Sequence, residues 1–218
     1  MGKNKSKFRE YFEAILFALI LALFIRAFVV QAFKIPSGSM IPTLLVGDHI
    51  LVNKFIYGIR IPFTDKKIFA VSNPEREDVI VFIYPLDPSK DFIKRVIGVA
   101  GDTISIKGKK VFINGEVYDD PYAHYLDDDP GAEGISRNDF GPITVPKDSL
   151  FVMGDNRDRS YDGRYWGRFV TLDQVRGKAF MLYWSNGTPH KRADWNFPIK
   201  LLDSIIYNRW SRMGDMIH

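Results

Sequence analysis

The hydrophobic pattern divides the chain in two. From residue 14 to residue 33 apolar side chains run almost without interruption, with Arg26 and Gln31 the clearly polar residues. This predicts a helix hydrophobic on all sides; about 20 residues at 1.5 Å each span roughly 30 Å, a bilayer's hydrocarbon thickness. Farther on, apolar residues come in short runs bounded by Gly, Pro and Asp, at 50–52, 79–84, 92–99, 103–106, 111–113, 142–145, 150–153 and 178–184. These predict strands and a mainly β body. Lys107-Gly108-Lys109-Lys110 and Asn114-Gly115 carry hairpin-turn chemistry. Leu201, Leu202, Ile205, Ile206 and Trp210 recur at helical spacing and predict a terminal helix docked on the body.

Charge adds a direction to this division. Lys3, Lys5, Lys7 and Arg9 precede the apolar run, opposed by Glu10 and Glu13. The positive-inside rule then makes residues 1–12 a cytoplasmic head, 13–33 a single-pass transmembrane anchor and 34–218 an extracytoplasmic domain. Arg26 sits toward the outer end, where its head can snorkel to the interface. Competing readings of the run are a buried core helix, an in-plane amphipathic helix, and a signal peptide cut after Val30-Gln31-Ala32. Residues 119–139 hold seven acidic residues against Arg137 alone and read as an exposed excursion. Asp127-x-Asp129-x-Gly131 opens like a calcium loop, but Ala132 and Asn138 stand where glycine and glutamate are needed, so a solvated acidic loop is expected.

The 218 residues contain no cysteine, which excludes disulfides, thiolate zinc sites, iron–sulfur clusters and a cysteine nucleophile. His49, His124, His190 and His218 are scattered, without metal-ligand spacing. Neither G-x-S-x-G, a Walker A sequence nor G-x-G-x-x-G occurs. No metal, cofactor or nucleic-acid partner is expected.

Three segments remain. Pro36-Ser37-Gly38-Ser39-Met40-Ile41-Pro42-Thr43-Leu44 follows the apolar run; its prolines stiffen a turn and Gly38 removes a side chain where another backbone can approach. A serine there needs a base to act as a nucleophile. In the strand beginning Asp91-Phe92-Ile93-Lys94-Arg95-Val96-Ile97-Gly98, Lys94 shares a face with Phe92 and Val96, and Arg95 with Ile93 and Ile97. If both faces are covered, one basic side chain lies among apolar neighbours. Lys94 is the one that can serve as a base, since arginine does not deprotonate in proteins. Desolvation lowers an amine's pKa, and about 3 kcal/mol of differential environment brings it from about 10.4 to about 8. The third segment, Gly154-Asp155-Asn156-Arg157-Asp158-Arg159-Ser160-Tyr161-Asp162-Gly163-Arg164, alternates carboxylates and guanidiniums and suits an ion-paired loop beside a site.

In this order the three segments resemble the bacterial type I signal peptidases, membrane-bound serine endopeptidases that release exported proteins from their signal peptides. The match runs through about Arg168. Arg76-Glu77-Asp78-Val79-Ile80-Val81-Phe82 also looks like the family's Arg-Gly-Asp-led strand. The resemblance implies an antiparallel β-sheet catalytic domain behind one membrane helix, with 103–150 as a small β insert in place of the family's longer second domain. It makes Ser39 the nucleophile and Lys94 its general base. It assigns the oxyanion hole to the Ser39 N–H and the Ser37 hydroxyl, and has Ser160 hydrogen-bond Lys94. Asp155, Arg157, Asp162 and Arg164 would hold the loop, while Phe33, Ile35, Pro36 and Ile93 would line shallow pockets selecting small residues at −1 and −3. It further implies signal peptides of preproteins as substrates, added as an extended strand. The enzyme would be a monomer in the bacterial inner membrane with its domain on the outer face, resting on lipid through Trp166 and Phe169. The chain departs from the family pattern at Glu77 for glycine, Val99-Ala100 for Leu-Pro, Arg159 for asparagine and Gly163 for serine. The alternatives are a membrane-anchored β-rich binding or scaffold module without catalysis, and a self-cleaving repressor-type Ser–Lys peptidase.

Overall fold

The structure is a computed structural model that describes residues 7–60, 67–68, 70–126, 139–187 and 208–218. Helix α1 (Lys7–Phe28) leads into β1 (Val30–Lys34), followed by β2 (Asp48–Asn53), β3 (Ile59–Arg60), β4 (Lys67–Ile68), β5 (Val79–Ile83) and β6 (Asp91–Gly98). Then come β7 (Thr103–Lys107), β8 (Lys110–Ile113), β9 (Glu116–Val117), β10 (Phe140–Thr144) and β11 (Ser149–Met153). The short helix α2 (Gly163–Trp166), β12 (Val170–Thr171) and β13 (Val175–Ser185) complete the order. A seven-stranded sheet runs β1-β2-β13-β5-β6-β11-β12, and a four-stranded sheet runs β10-β7-β8-β9. Their pairings are antiparallel. The mainly β architecture thus follows the runs read from the sequence, and the four-stranded sheet lies within residues 103–144.

The apolar run of 14–33 does not form one element. The helix stops at Phe28, and Val30–Lys34 pairs with β2, so the anchor boundary expected at residue 33 falls inside a strand. Lys7, Arg9, Glu10 and Glu13 occupy the first turns, leaving an apolar helical stretch of about 15 residues, roughly 22 Å. Among the described residues no helix is long and apolar enough to cross a membrane. The described α1 side chains are nonetheless exposed on every side, Phe8, Phe12, Ile15, Phe17, Ile20 and Phe24 among them. The calcium-like residues Asp127, Asp129 and Gly131, and the helical repeat Leu201, Leu202, Ile205 and Ile206, lie outside the described residues.

Both faces of the large sheet are covered, which is why its central strands read as continuous apolar runs. In β5, Ile80 and Phe82 enter one cluster with Val96, Leu150, Val152 and Trp166. Val79 and Val81 point the other way, to Ile35, Met40, Leu44, Ile50, Val52 and Ala179. In β11, Phe151 and Met153 pack toward the small sheet with Ile97, Ile104 and Val145. Each such fully buried side chain contributes about 1.5–3 kcal/mol. The β7–β8 turn has positive φ at Gly108 (54°) and Lys109 (69°), and the β8–β9 turn at Asn114 (55°) and Gly115 (87°), the geometry of two-residue hairpins.

Trp166 is a core residue, correcting its expected place against lipid. It is 5% exposed and packs on Phe82, Tyr84 and Phe92. Phe169 is half-buried against the cluster of the small sheet.

Candidate active site

Residues 35–45 cannot continue β1, because Pro36 and Pro42 remove ladder donors. The chain turns instead, with Ile41 N–H donating to Gly38 O (3.2 Å) and Leu44 N–H to Met40 O (2.8 Å). Met40 and Leu44 are fully buried and hold the turn down. Ser39 rides on it, itself 8% exposed. Lys94 reaches it from the middle of β6, where it is paired with Ile80 of β5. Lys94 Nζ and Ser39 Oγ are 2.5 Å apart, and Lys94 is 4% exposed.

Burial lowers the Lys94 amine to about 8 from its ordinary value near 10.5. Asp162 and Asp155 pull it partly back up, and Arg164 adds to the lowering. A neutral amine at hydrogen-bond distance from a hydroxyl can accept its proton. This is the chemical capacity of the pair.

The third segment wraps the other side of Ser39. Asn156 N–H donates to Ser39 O (3.1 Å) and Asn156 Nδ2 to Gly38 O (3.1 Å). Gly154 N–H donates to Asp162 Oδ2 (3.0 Å), and Arg164 donates to both Asp162 oxygens from Nε (2.9 Å) and Nη2 (2.8 Å). Burial pushes the Asp162 carboxyl up, but Arg164 and the Gly154 amide outweigh it and hold it below the usual carboxylate range. Arg157 donates to Gly154 O (3.0 Å), pairs with Asp120, and accepts at its own carbonyl from Arg164 Nη2 (2.7 Å). The four charges expected to hold this loop, Asp155, Arg157, Asp162 and Arg164, are each buried with a partner.

Two expectations met a different arrangement. Ser160 is fully buried, but the expected bond to Lys94 is not formed; its hydroxyl lies beside the Asp162 carboxylate and helps hold that group below the usual range. Ser37 is exposed at the surface. Of the pocket residues, Phe33, Ile35 and Ile93 meet in the cluster with Met40 and Leu44, whereas Pro36 is exposed. A cleft of about 610 Å³ lies apart from all of these, between Pro74, Glu75, Val99, Lys147, Asp148 and Leu172.

Arg95 supplies what sequence reading left open. Strand alternation put it opposite Lys94, and both turn out buried. It forms a bidentate pair with Asp155 (2.8 and 2.7 Å), donates to Glu77 O and His218 O (2.7 Å each), and stacks 3.6 Å from the Tyr122 ring centroid. A buried guanidinium satisfied at this many donors is tolerable where an unpaired one is not. Residues 118–126 consequently form a strap and not the exposed excursion expected: Asp120 pairs with Arg157, Leu126 N–H donates to Asp158 (2.8 Å), and His124 bridges Asn156. Tyr118, Tyr122 and Tyr125, spaced three to four apart among the acids, were the available signal. Asp48, also missed, is buried between Ser185, Arg209 and Arg212, and Arg212 reaches the Thr43 carbonyl (2.9 Å) just past Ser39.

Comparison with known proteins gives this geometry a class. The family model described as signal peptidase, peptidase S26, matches residues 8–184. Signal peptidase I of Pseudomonas fluorescens is 39% identical over 205 residues, covering 81% of this chain and 72% of that one. Signal peptidase I of Aquifex aeolicus is 37% identical over 256 residues, covering 91% and 95%. Signal peptidase I P of Bacillus subtilis subsp. natto is 38% identical, covering 80% and 88%. The chain belongs to the signal peptidase I family of S26 peptidases, and is a serine endopeptidase. Membership sets aside the non-catalytic scaffold alternative.

Proposed function

We propose that this enzyme cleaves signal peptides from preproteins after small-x-small sites by a Ser39–Lys94 dyad. The observation that carries the reading is the 2.5 Å contact between Ser39 Oγ and a buried Lys94 whose amine titrates at about 8. Neutral Lys94 takes the hydroxyl proton as Ser39 Oγ attacks the scissile carbonyl. The oxyanion is met by the Ser39 N–H and by the hydroxyl of the exposed Ser37; one such donor is typically worth about 2.7–4 kcal/mol. The tetrahedral species collapses, Lys94 returns its proton to the leaving amine, and water attacks the acyl-enzyme by the same route with Lys94 again as base. Ser160, buried beside the Asp162 carboxylate, orients the ammonium while it carries the proton. Asp155, Arg157, Asp162 and Arg164 keep the loop rigid. Phe33, Ile35, Pro36 and Ile93 bound the −1 and −3 subsites.

In this reading α1 is the single membrane anchor, with the basic head cytoplasmic and the catalytic domain on the outer face of the bacterial inner membrane, working as a monomer. Its exposed apolar side chains support lipid contact, and the short apolar length is met by local bilayer thinning and by Arg26 snorkelling. Ser39 lies close in sequence to the helix end, where a preprotein's scissile bond also emerges. The test is incubation of the detergent-solubilised protein with a preprotein, followed by sequencing of the new N-terminus. Cleavage after a small-x-small site is expected; cleavage elsewhere, or none, contradicts the reading.

A further inference from the structure

Asn156 grips two consecutive peptide units. Its side-chain Nδ2 donates to Gly38 O and its backbone N–H to Ser39 O, each at 3.1 Å. The Gly38 carbonyl and the Ser39 N–H belong to one planar trans peptide and point in opposite directions. A donor fixed on Gly38 O therefore aims the Ser39 N–H the other way. The second bond fixes the next peptide, so the backbone on both sides of the Ser39 Cα is held from one residue. The Ser39 N–H itself donates to no group among the described residues, which leaves it free for a ligand.

Stability alone does not account for an asparagine here. Asn156 is 5% exposed and its Oδ1 is buried without a partner, an arrangement that costs free energy an apolar residue would not. The used half of the amide is the donor, and the target of that donor is the peptide whose N–H faces the reaction.

We infer that Asn156 is a positioning residue for the oxyanion hole: it acts through Gly38 O to pre-aim the Ser39 N–H at the developing oxyanion. The inference rests on the Ser39 reading above. It predicts a defect confined to the transition state, because ground-state binding of a peptide does not use the oxyanion donor.

The experiment compares wild type, Asn156→Ala and Asn156→Asp in detergent, with circular dichroism to establish folding. The Asp variant keeps the size but loses the donor. Two probes are used: a small-x-small peptide ending in an aldehyde, whose carbonyl carbon bonds Ser39 Oγ as Lys94 takes the hydroxyl proton, leaving a hemiacetal oxyanion, and the same peptide as a C-terminal amide. On preprotein, kcat is expected to fall about 10–100-fold with KM within about twofold, the scale of a displaced reacting group. Aldehyde binding is expected to weaken at least tenfold and amide binding to stay within about twofold. Equal weakening of both probes, or full kcat in a folded Asn156→Ala, overturns the inference alone. If Asn156→Ala does not fold, Asn156→Asp decides by the same readouts. A wild type that binds aldehyde no better than amide overturns the Ser39 reading and this inference with it.

Discussion

Gly154 and Ser39 meet backbone to backbone. A Cβ built on Gly154 would overlap the Ser39 carbonyl oxygen and Ser160 Oγ, closer than real side chains approach. One of these is a backbone atom held by Asn156, so it cannot move aside at low cost. Gly154→Ala is expected to lower kcat on preprotein by about 100-fold or more while the sheet survives, since displacement of a reacting group by about 1 Å costs on that order. Steady-state kinetics alongside far-ultraviolet circular dichroism checks it; a fully active alanine variant would show that the contact is not tight.

The buried lysine should cost stability at neutral pH. Lys94 protonates near 10.5 when unfolded and at about 8 in the fold. Between those values the unfolded chain holds the extra proton, so stability rises with pH from about 8 to 10.5. Below about 8 the fold bears the full penalty, about 3 kcal/mol. Lys94→Met is therefore expected to be inactive yet more stable at pH 6.5, with the gain shrinking toward pH 10. Denaturant titrations at both pH values test this, and a Lys94→Met protein less stable at pH 6.5 would count against it. Cleavage by the wild type should rise with an apparent pKa near 8.

Asp155 and Arg95 are both fully buried, and each is the other's counter-ion. Asp155→Ala leaves a buried guanidinium short of its carboxylate, and the expected loss is about 3–5 kcal/mol. Replacing both with apolar residues of similar size should recover most of it. Urea midpoints of the single and double variants decide; a single variant as stable as wild type would mean the pair contributes nothing.

Glu77 stands at φ 75°, in the left-handed region that favours glycine. Its carboxylate accepts from Tyr118 at 3.0 Å, an exposed bond of small worth. Relief of backbone strain should outweigh that loss, so Glu77→Gly is expected to gain about 0.5–1 kcal/mol. A lowered melting temperature would refute it.

How much of this was legible beforehand varies with the range of the interaction. The strands were readable because alternation and turn chemistry are local, and the Ser39, Lys94 and Gly154 segments carried joint motifs. Glu77 was legible as a departure from the signal-peptidase pattern, and its positive φ is a conformation that favours glycine. What the sequence hid depends on contacts far apart along the chain. Asp120 looked solvated by its acidic neighbours, and only its meeting with Arg157 shows otherwise. Asp48 needs Arg209 and Arg212 from the far end of the chain. Trp166 lies in a polar, glycine-rich stretch that gave no sign of the aromatic cluster awaiting it. The apolar run at 14–33 looked uniform because hydropathy does not distinguish a lipid-facing helix from β1, which is apolar for its partner strand.

Everything proposed for this site depends on Lys94 acting as the base for Ser39. The most direct measurement is preprotein cleavage at pH 8 by folded Lys94→Ala beside wild type and Ser39→Ala. Both variants are expected to fall to the uncatalysed background while circular dichroism stays unchanged. Cleavage by Lys94→Ala at the wild-type rate would contradict it.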